Sequence, residues 1–265
     1  MDFTLKTYKS LLQAIKDSGY AFQTFEDFIK NPKEKVVVLR HDVDERPYNA
    51  LKMAELESYM GINSTYYFRI VKISNNPDII NKIVDLGHEI GYHYEDLSLN
   101  NGNVEKAAIS FRNNLLYFRS YYPVSTVCMH GSSFSGIDNR KIWEHHSLEE
   151  FNLIAEPYLS VDFSKVFYIT DTARRWDAGK YSIRDTVKGD FNLSFHSTKD
   201  IIRSLRNNDF PNQAIIQSHT LWTNNISEWL WLEVRERIRN PLKLVLNNFP
   251  PLRNLMYYFT KKVSS

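Results

Sequence analysis

Residues 36–44 of the 265-residue chain are VVVLRHDVD, and this stretch decides the fold. Four apolar residues, three of them β-branched, lead into a polar end, which is typical of a strand buried on both faces. Buried strands of this kind belong to parallel sheets, in which neighbouring strands are connected through helices. Pro47 stands at a suitable first helical position, residues 48–60 have helical apolar spacing, and Gly61 supplies a stop. A strand followed by a helix is therefore predicted here.

The same alternation continues along the chain. Further strand patterns lie at residues 64–71, 88–94, 124–131, 166–170, 191–195 and 213–219. Helical patterns lie at residues 5–17, 77–87, 103–120, 198–207 and 227–239. Because strands that alternate with helices pair in parallel, the sequence predicts one α/β domain.

Composition limits the class of protein. A hydrophobic fraction of 43% and a charged fraction of 24% are those of a packed globular body. The net charge of +2 is too weak to indicate nucleic-acid binding, so we expect no nucleic-acid partner. The single cysteine, Cys128, excludes an internal disulfide and a cysteine zinc cluster. A metal site would therefore need His and carboxylate ligands.

The two ends of the chain bear on its location. The first residues lack the apolar segment of a signal peptide, and no stretch approaches the roughly 20 apolar residues that span a bilayer. We therefore expect a cytoplasmic protein. Near the C-terminus, apolar residues recur in 227–239 and from Leu252 to Phe259, before Lys261 and Lys262. Such a stripe more often docks on its own domain or on a partner subunit, as in an oligomer, than on the inner membrane surface, which is the alternative.

Polar residues stand at the ends of four predicted strands: Asp42 with Asp44, His93, His130 and His219. Because the carboxyl ends of parallel strands share one edge of the sheet, we expect these side chains to converge. Two aspartates two residues apart lie on one side of a strand, which favours a shared cation. The competing interpretations are a helix cap for one aspartate and hydrogen-bonded core positions for the histidines.

Carboxylate and imidazole ligands suit zinc or another first-row divalent ion. Such an ion lowers the pKa of water, a nearby carboxylate can take the proton, and an imidazole can protonate a leaving amine. The chain has neither a Gly-rich phosphate loop nor a GxSxG elbow. These residues therefore predict metal-assisted hydrolysis.

Three motifs, HDVD (41–44), GHEIGYHYEDLS (87–98) and AIIQSHT (214–220), resemble those of polysaccharide deacetylases with a NodB-homology domain, similar to carbohydrate esterase family 4. CMHGSSFSGIDNRKIW and YITDTARRW resemble a diverged branch associated with bacterial surface-polysaccharide biosynthesis, such as that of O-antigen. The resemblance covers about residues 35–225. It implies a distorted (β/α) barrel of about seven parallel strands in a single domain, with helical extensions over 1–34 and 226–265. It also implies metal-dependent removal of acyl groups from amino sugars.

The resemblance implies site roles position by position. Asp42 would be the catalytic base that activates water, and His219 the general acid. The family's second aspartate follows the first directly, but here Val43 intervenes, so Asp44 becomes the candidate metal ligand.

The family's second motif carries two histidines four residues apart. The first matches His93, but Leu97 stands at the second place. We expect His130, at the end of a neighbouring strand, to replace the missing ligand, with Glu95 and Asp96 as weaker substitutes.

The expected substrate residues are Arg174, Arg175 and Trp176, with Trp222 as an apolar wall. Asn139 is a further candidate, and Asp138 before it is expected to cap a helix. The expected cofactor is zinc, and the expected partner is an N-acylated sugar or glycan intermediate.

Two other hypotheses remain open from the sequence. One is a deformylase or other non-peptide amide hydrolase that acts on a lipid-linked sugar. The second, motivated by Leu97, is a catalytically silent carbohydrate-binding homologue.

Overall fold

The structure is a computed structural model that describes residues 1–131, 135–177, 186–247, 249, 251–252 and 255–257. Its strands are β1 (Ala21–Gln23), β2 (Val36–Val43), β3 (Thr65–Phe68), β4 (Glu89–Tyr94), β5 (Val127–Met129), β6 (Phe167–Thr170) and β7 (Gln213–His219). Its α-helices are α1 (Leu5–Asp17), α2 (Phe25–Lys30), α3 (Pro47–Tyr59), α4 (Pro77–Asp85), α5 (Asp96–Leu99), α6 (Val104–Arg119), α7 (Pro157–Ser160), α8 (Thr198–Arg206) and α9 (Ile226–Asn247). Short 3₁₀ helices cover Asn139–Glu144, Glu149–Phe151 and Thr172–Arg174.

In the described residues, six strands form a sheet in the order β5-β4-β3-β2-β7-β6, the seventh strand, β1, pairs with β2, and every pairing is parallel. Strand β1 shares one edge of β2 with β3, because β1 pairs with Val36–Val38 and β3 with Arg40–Val43. The sheet curves into a half-barrel within a single domain. The prediction of a distorted barrel of about seven parallel strands is confirmed.

One predicted strand is wrong. Residues 191–195 lie in no strand, and β1, which the sequence analysis did not predict, is the seventh. Phe191 and Phe195 both contact Phe167, with ring centroids 5.4 and 6.2 Å away. The alternation of apolar residues therefore reflects side chains that pack on a core without a hydrogen-bonded ladder.

The N-terminal segment is integral to this core. Thr4 caps α1, and the helix buries Leu11, Leu12 and Ile15 in the same apolar cluster as Ile201 of α8. Residues 1–34 therefore contribute one strand of the sheet and part of its covering layer, in addition to the predicted helix.

The interior of the sheet is filled close to the strand starts. A Cβ atom at Gly91 would lie 2.3 Å from the Tyr67 ring and 2.9 Å from the Thr126 carbonyl oxygen. Only glycine allows this close approach. In the described residues, no helix is long and apolar enough to cross a membrane.

Candidate metal and catalytic site

The register of the sheet brings the predicted residues together. Asp42 at the end of β2 is opposite His219 at the end of β7, and His93 on β4 is opposite Cys128 on β5. His130 follows β5 directly, and its backbone N–H donates to the Tyr94 carbonyl at 2.8 Å. The polar ends of β2, β4, β5 and β7 therefore lie on one edge of the sheet, as parallel pairing requires.

Three of these side chains converge on one point. Asp44 Oδ1 lies 3.3 Å from His93 Nε2 and 3.4 Å from His130 Nε2. One potential ligand atom from each residue lies within 4.8 Å of the others. Asp44 Oδ1 is buried, and no described group hydrogen-bonds to it. A buried carboxylate oxygen without a hydrogen bond is costly, so this geometry calls for a positive charge between the three residues.

The remaining nitrogens of the two imidazoles are already engaged. His93 Nδ1 lies 3.0 Å from the Cys128 carbonyl oxygen, and His130 Nδ1 lies 3.0 Å from Glu95 Oε2. Both partners only accept hydrogen bonds, so each Nδ1 carries a proton and each ring turns its Nε2 toward Asp44. A histidine whose second nitrogen donates to a carbonyl or carboxylate has the usual arrangement of a metal ligand.

The pKa shifts of Asp44 and His93 also favour a positive charge within this cluster. Burial alone would raise the pKa of Asp44, but His130 and His93 outweigh it and hold that pKa well below its usual range. Burial alone would lower the pKa of His93, but Asp42 and Asp44 outweigh it and raise that pKa. The cluster favours a positive charge beside Asp44, and the donor set of one carboxylate and two imidazoles fits zinc.

His130 is held from behind by two polar groups. Glu95 Oε1 accepts from Arg69 Nε at 2.8 Å while Glu95 Oε2 faces the imidazole. Burial alone would raise the pKa of Glu95, but His130 and Arg69 lower it to about 2. Asn139 is fully buried, donates to the His130 carbonyl at 3.0 Å and accepts from the Ser98 N–H at 2.8 Å. Asn139 thus orients the His130 backbone, and its amide is not presented to a substrate.

Asp42 lies beside this cluster, with His93 Nε2 3.7 Å from its Oδ2. Arg40 donates to both carboxylate oxygens, at 3.1 and 2.8 Å, and Gln217 donates to Oδ2 at 2.8 Å. Burial alone would raise the pKa of Asp42, but Arg40 and His93 outweigh it and lower that pKa. The carboxylate is therefore kept ionised at neutral pH.

Alternation along β2 explains why His41 is absent from this site. Successive side chains of a strand point to opposite faces, so His41 points away from Arg40 and Asp42. It is fully buried, 2.9 Å from Glu57 Oε1 and 2.8 Å from Ser218 Oγ.

His219 is oriented by a residue that sequence reasoning did not single out. Its Nδ1 lies 2.9 Å from Asp171 Oδ1, and its Nε2 lies 3.9 Å from Asp44 Oδ2. Asp171 Oδ2 accepts from the Trp222 indole N–H at 2.8 Å. The Asp171 carboxylate therefore places a proton on Nδ1 of His219 and turns Nε2 toward the site. Asp171 lies within the motif YITDTARRW, at the end of β6. Its place at a strand end could have identified it from the sequence.

A second group of potential ligands is formed by Asp42, His93 and Cys128. All three are buried, and Asp42 is already paired with the Arg40 guanidinium. A cation there would be placed next to an arginine, whereas the group of Asp44, His93 and His130 has a partly exposed rim, with the Asp44 side chain 31% exposed. The latter group is the better candidate.

Most predicted substrate residues do not face this rim. Trp222 has no exposed surface, and Trp176 is buried and donates to Thr198 Oγ1 at 2.9 Å. Arg174 is buried, donates to the Leu221 carbonyl at 2.6 Å and lies over the Phe3 ring.

The backbone after β6 explains why Arg174 and Trp176 point inward. Ala173 and Arg174 have φ of 62° and 53°, which turn the chain after β6. The side chain of Arg175 is 54% exposed, and its Nε lies 3.1 Å from Asp177 Oδ1. The expectation of a substrate role for Arg174, Trp176, Trp222 and Asn139 is therefore corrected to a supporting position.

Glu95 and Asp96, the weaker substitute ligands, do not face the candidate site. Glu95 stands behind His130, and Asp96 turns away to Ser110 Oγ at 2.6 Å and the Tyr92 hydroxyl at 2.7 Å. Leu97 is buried in the apolar cluster beneath α6. Asp138 caps the 3₁₀ helix Asn139–Glu144 through the Arg140 N–H, as expected.

No protein-family profile matches the sequence, and no curated protein matches it. Among solved structures, the chain is similar to a carbohydrate esterase family 4 pseudoenzyme from Bacillus anthracis, at 15% identity and a TM-score of 0.43, over 79% of this chain and 63% of that one. It is also similar to the catalytic domain of a peptidoglycan N-acetylglucosamine deacetylase from Eubacterium rectale, at 12% identity and a TM-score of 0.43, over 79% and 87%.

A third similar structure is a family 4 carbohydrate esterase from Bacillus anthracis, at 13% identity and a TM-score of 0.39, over 86% of this chain and 85% of that one. The chain spans less than two thirds of the length of the pseudoenzyme that it matches. These are similarities of fold.

Proposed function

We propose that this protein is a metal-dependent hydrolase that removes an N-acyl group, in the first instance acetyl, from an amino sugar in bacterial surface-polysaccharide biosynthesis. One observation carries the proposal. Asp44 Oδ1 is buried without a hydrogen bond, between the Nε2 atoms of His93 and His130. The substrate class comes from the motifs that resemble the deacetylases.

Asp44, His93 and His130 would hold the ion, and their chemistry favours zinc. When bound, the ion would polarise the acyl carbonyl group and lower the pKa of water. The chain's own contribution is the orientation of the ligands, because the Cys128 carbonyl and Glu95 hold the Nδ1 protons of the two imidazoles.

Asp42 and His219 would move the protons. Asp42 is ionised, as a base must be, and would take a proton from the attacking water. His219 would give a proton from Nε2 to the leaving nitrogen, while Asp171 stabilises the positively charged imidazole through Nδ1. The two residues are opposite each other on the neighbouring strands β2 and β7, so acid and base would lie side by side next to the ligand group.

A second candidate function is glycan binding without turnover. The observation that favours it is the saturation of Asp42, whose two oxygens already accept from Arg40 and Gln217. Such a protein would bind the metal and the glycan but release no acyl group.

Metal analysis together with acyl release separates these functions. We expect purified protein to bind one zinc ion and to release acetate or formate from a panel of N-acylated amino sugars. His130→Ala should lose both properties. The matched control is His146→Ala, because His146 pairs with Glu150 Oε2 at 2.9 Å outside the site.

Wild-type protein that binds zinc and glycan without acyl release would favour the second function. Undiminished zinc affinity in His130→Ala would contradict the assigned ligand set.

A further inference from the structure

Helix α9 exposes its apolar side and buries polar residues, whereas a surface helix of a monomeric protein usually does the reverse. Its inward side includes two buried polar residues, Glu236 and Asn240, beside Leu232. Its outward side carries six apolar residues that are 45–66% exposed: Leu230, Trp231, Val234, Ile238, Leu242 and Val245. We call these six residues the outer face of α9. At ~100° per residue they fall on the side of the helix opposite Leu232, Glu236 and Asn240.

Polar contacts hold the helix in this orientation. Arg235 NH2 lies 2.6 Å from Glu45 Oε1, and the guanidinium of Arg46 pairs with Glu228. Asn240 donates to the Ala173 carbonyl at 3.5 Å. Rotation of α9 to bury its outer face would break these contacts and leave buried polar groups unsatisfied. The outer face is therefore not packed on the described part of the chain, and docking of the stripe from Leu252 to Phe259 stays a prediction.

Exposed apolar residues also follow the helix. Phe249, Leu252 and Leu255 are 59%, 46% and 50% exposed. Single exposed apolar residues are ordinary, but six of them on one side of a helix, as on the outer face of α9, mark an interaction surface.

Charge indicates what occupies this surface. Residues 237–265 contain six basic residues and no Asp or Glu: Arg237, Arg239, Lys243, Arg253, Lys261 and Lys262. Because the whole chain carries +2, the other 236 residues carry −4. The basic charge is thus concentrated in the C-terminal part of the chain, together with the exposed apolar residues.

Two occupants can be compared on this basis. A two-fold dimer through the outer face would bring the basic residues of two copies to one interface, which adds like charges there. An anionic lipid surface attracts the same charges and accepts the apolar side chains between its headgroups. Trp231, beside the Arg46 and Arg235 guanidinium groups, has the apolar body and polar edge favoured at such a boundary.

We propose that the outer face of α9 docks the protein on an anionic membrane surface. The contacts with Glu45, Arg46 and Ala173 attach α9 to the loops after β2 and β6, and these loops follow Asp44 and Asp171. The inner side of α9 is thus fixed to loops that begin at the candidate metal site, while its outer face points away from them. The docking does not depend on the proposed hydrolysis, and binding is measured without turnover.

Cosedimentation of the full chain with vesicles tests the proposal. We expect the protein to pellet with vesicles of phosphatidylcholine and phosphatidylglycerol but not with phosphatidylcholine alone, and high salt should weaken the binding. Ile238→Glu should lower the vesicle partition coefficient at least about tenfold, because a charge would replace an apolar side chain that inserts into the membrane surface. The matched control is Ile109→Glu on α6, since Ile109 is 64% and Ile238 is 66% exposed. This control should bind as wild type does.

Three results would overturn the proposal. The first is wild-type protein that stays in the supernatant with anionic vesicles. The second is equal loss of binding in Ile238→Glu and Ile109→Glu. The third is a dimer in sedimentation equilibrium that Ile238→Glu dissociates, which would assign the outer face to a second copy of the chain.

Discussion

Replacement of Glu95 by glutamine tests how the chain positions His130, the proposed metal ligand. Glu95 Oε2 lies 3.0 Å from His130 Nδ1, and its other oxygen accepts from Arg69. Glutamine keeps the size of the side chain but removes its negative charge. The imidazole then loses the carboxylate that holds its Nδ1 proton and makes Nε2 a stronger donor to the ion.

The size of the effect can be bounded from the structure. The pKa of Glu95 is lowered from 4.5 to about 2, with the attraction of His130 and Arg69 exceeding the cost of burial. A shift of this size corresponds to about 3 kcal/mol in favour of the ionised carboxylate, and His130 supplies only part of that attraction. Loss of an outer partner of a metal ligand typically weakens binding about 10- to 100-fold, or about 1.4–2.7 kcal/mol. We therefore expect the Kd for zinc to rise by this factor.

The assay is competition between protein and a chromophoric chelator for zinc at neutral pH. The matched control is Glu150→Gln, because Glu150 also faces a histidine Nδ1, that of His146, at 2.9 Å but on the surface. The control should leave the Kd unchanged. If Glu95→Gln folds as wild type does and binds zinc within about twofold of it, the positioning argument is refuted.

Three further predictions concern stability and the ligand set. Burial raises the pKa of Glu89 from 4.5 to about 7. The folded state therefore binds this proton more tightly than the unfolded chain, and its stabilising contribution is lost as the pH rises through about 7. In urea titrations, the free energy of unfolding of the wild type should fall by about 3 kcal/mol from about pH 5 to pH 8 because of Glu89. Glu89→Gln should lack this fall. Gly91→Ala should destabilise the fold by about 1–3 kcal/mol or more in the same assay, because its Cβ would lie 2.3 Å from the Tyr67 ring. Leu97→His should not restore zinc binding to His130→Ala, because position 97 is buried in the apolar cluster beneath α6.

Each of these predictions has an opposing result. Equal pH dependence in wild type and Glu89→Gln would mean that Glu89 is ionised inside the fold. An unchanged urea midpoint in Gly91→Ala would mean that Tyr67 moves without cost. Zinc binding by the double variant would show that position 97 reaches the ligand group.

Much of the architecture could be predicted from local pattern. The run from Val36 to Leu39 indicated a strand buried on both faces, and the strand and helix patterns that follow indicated parallel pairing. Strand β1 could not be predicted, because Ala21–Gln23 is short and only its pairing with Val36–Val38 makes it a strand. Phe191 and Phe195 show the opposite case, since their alternation is the same in a strand and in a packed loop.

The sequence by itself determined that Asp42, Asp44, His93, His130 and His219 would share one edge, because the carboxyl ends of parallel strands must meet there. Long-range packing decided which other residues join them. Gln217 turned out to donate to Asp42, and Asp171 to pair with His219.

Tertiary structure alone decided the directions of the residues after β6. Arg174 and Trp176 were expected at the substrate, but the positive φ of Ala173 and Arg174 turns both side chains onto Phe3, which is distant in sequence. It also decided that the apolar side of α9 is the exposed one, since the buried contacts of Glu236 and Asn240 set the rotation of the helix. Spacing along a chain fixes which residues share a strand end or a helix face, whereas contacts between distant segments fix what each face meets.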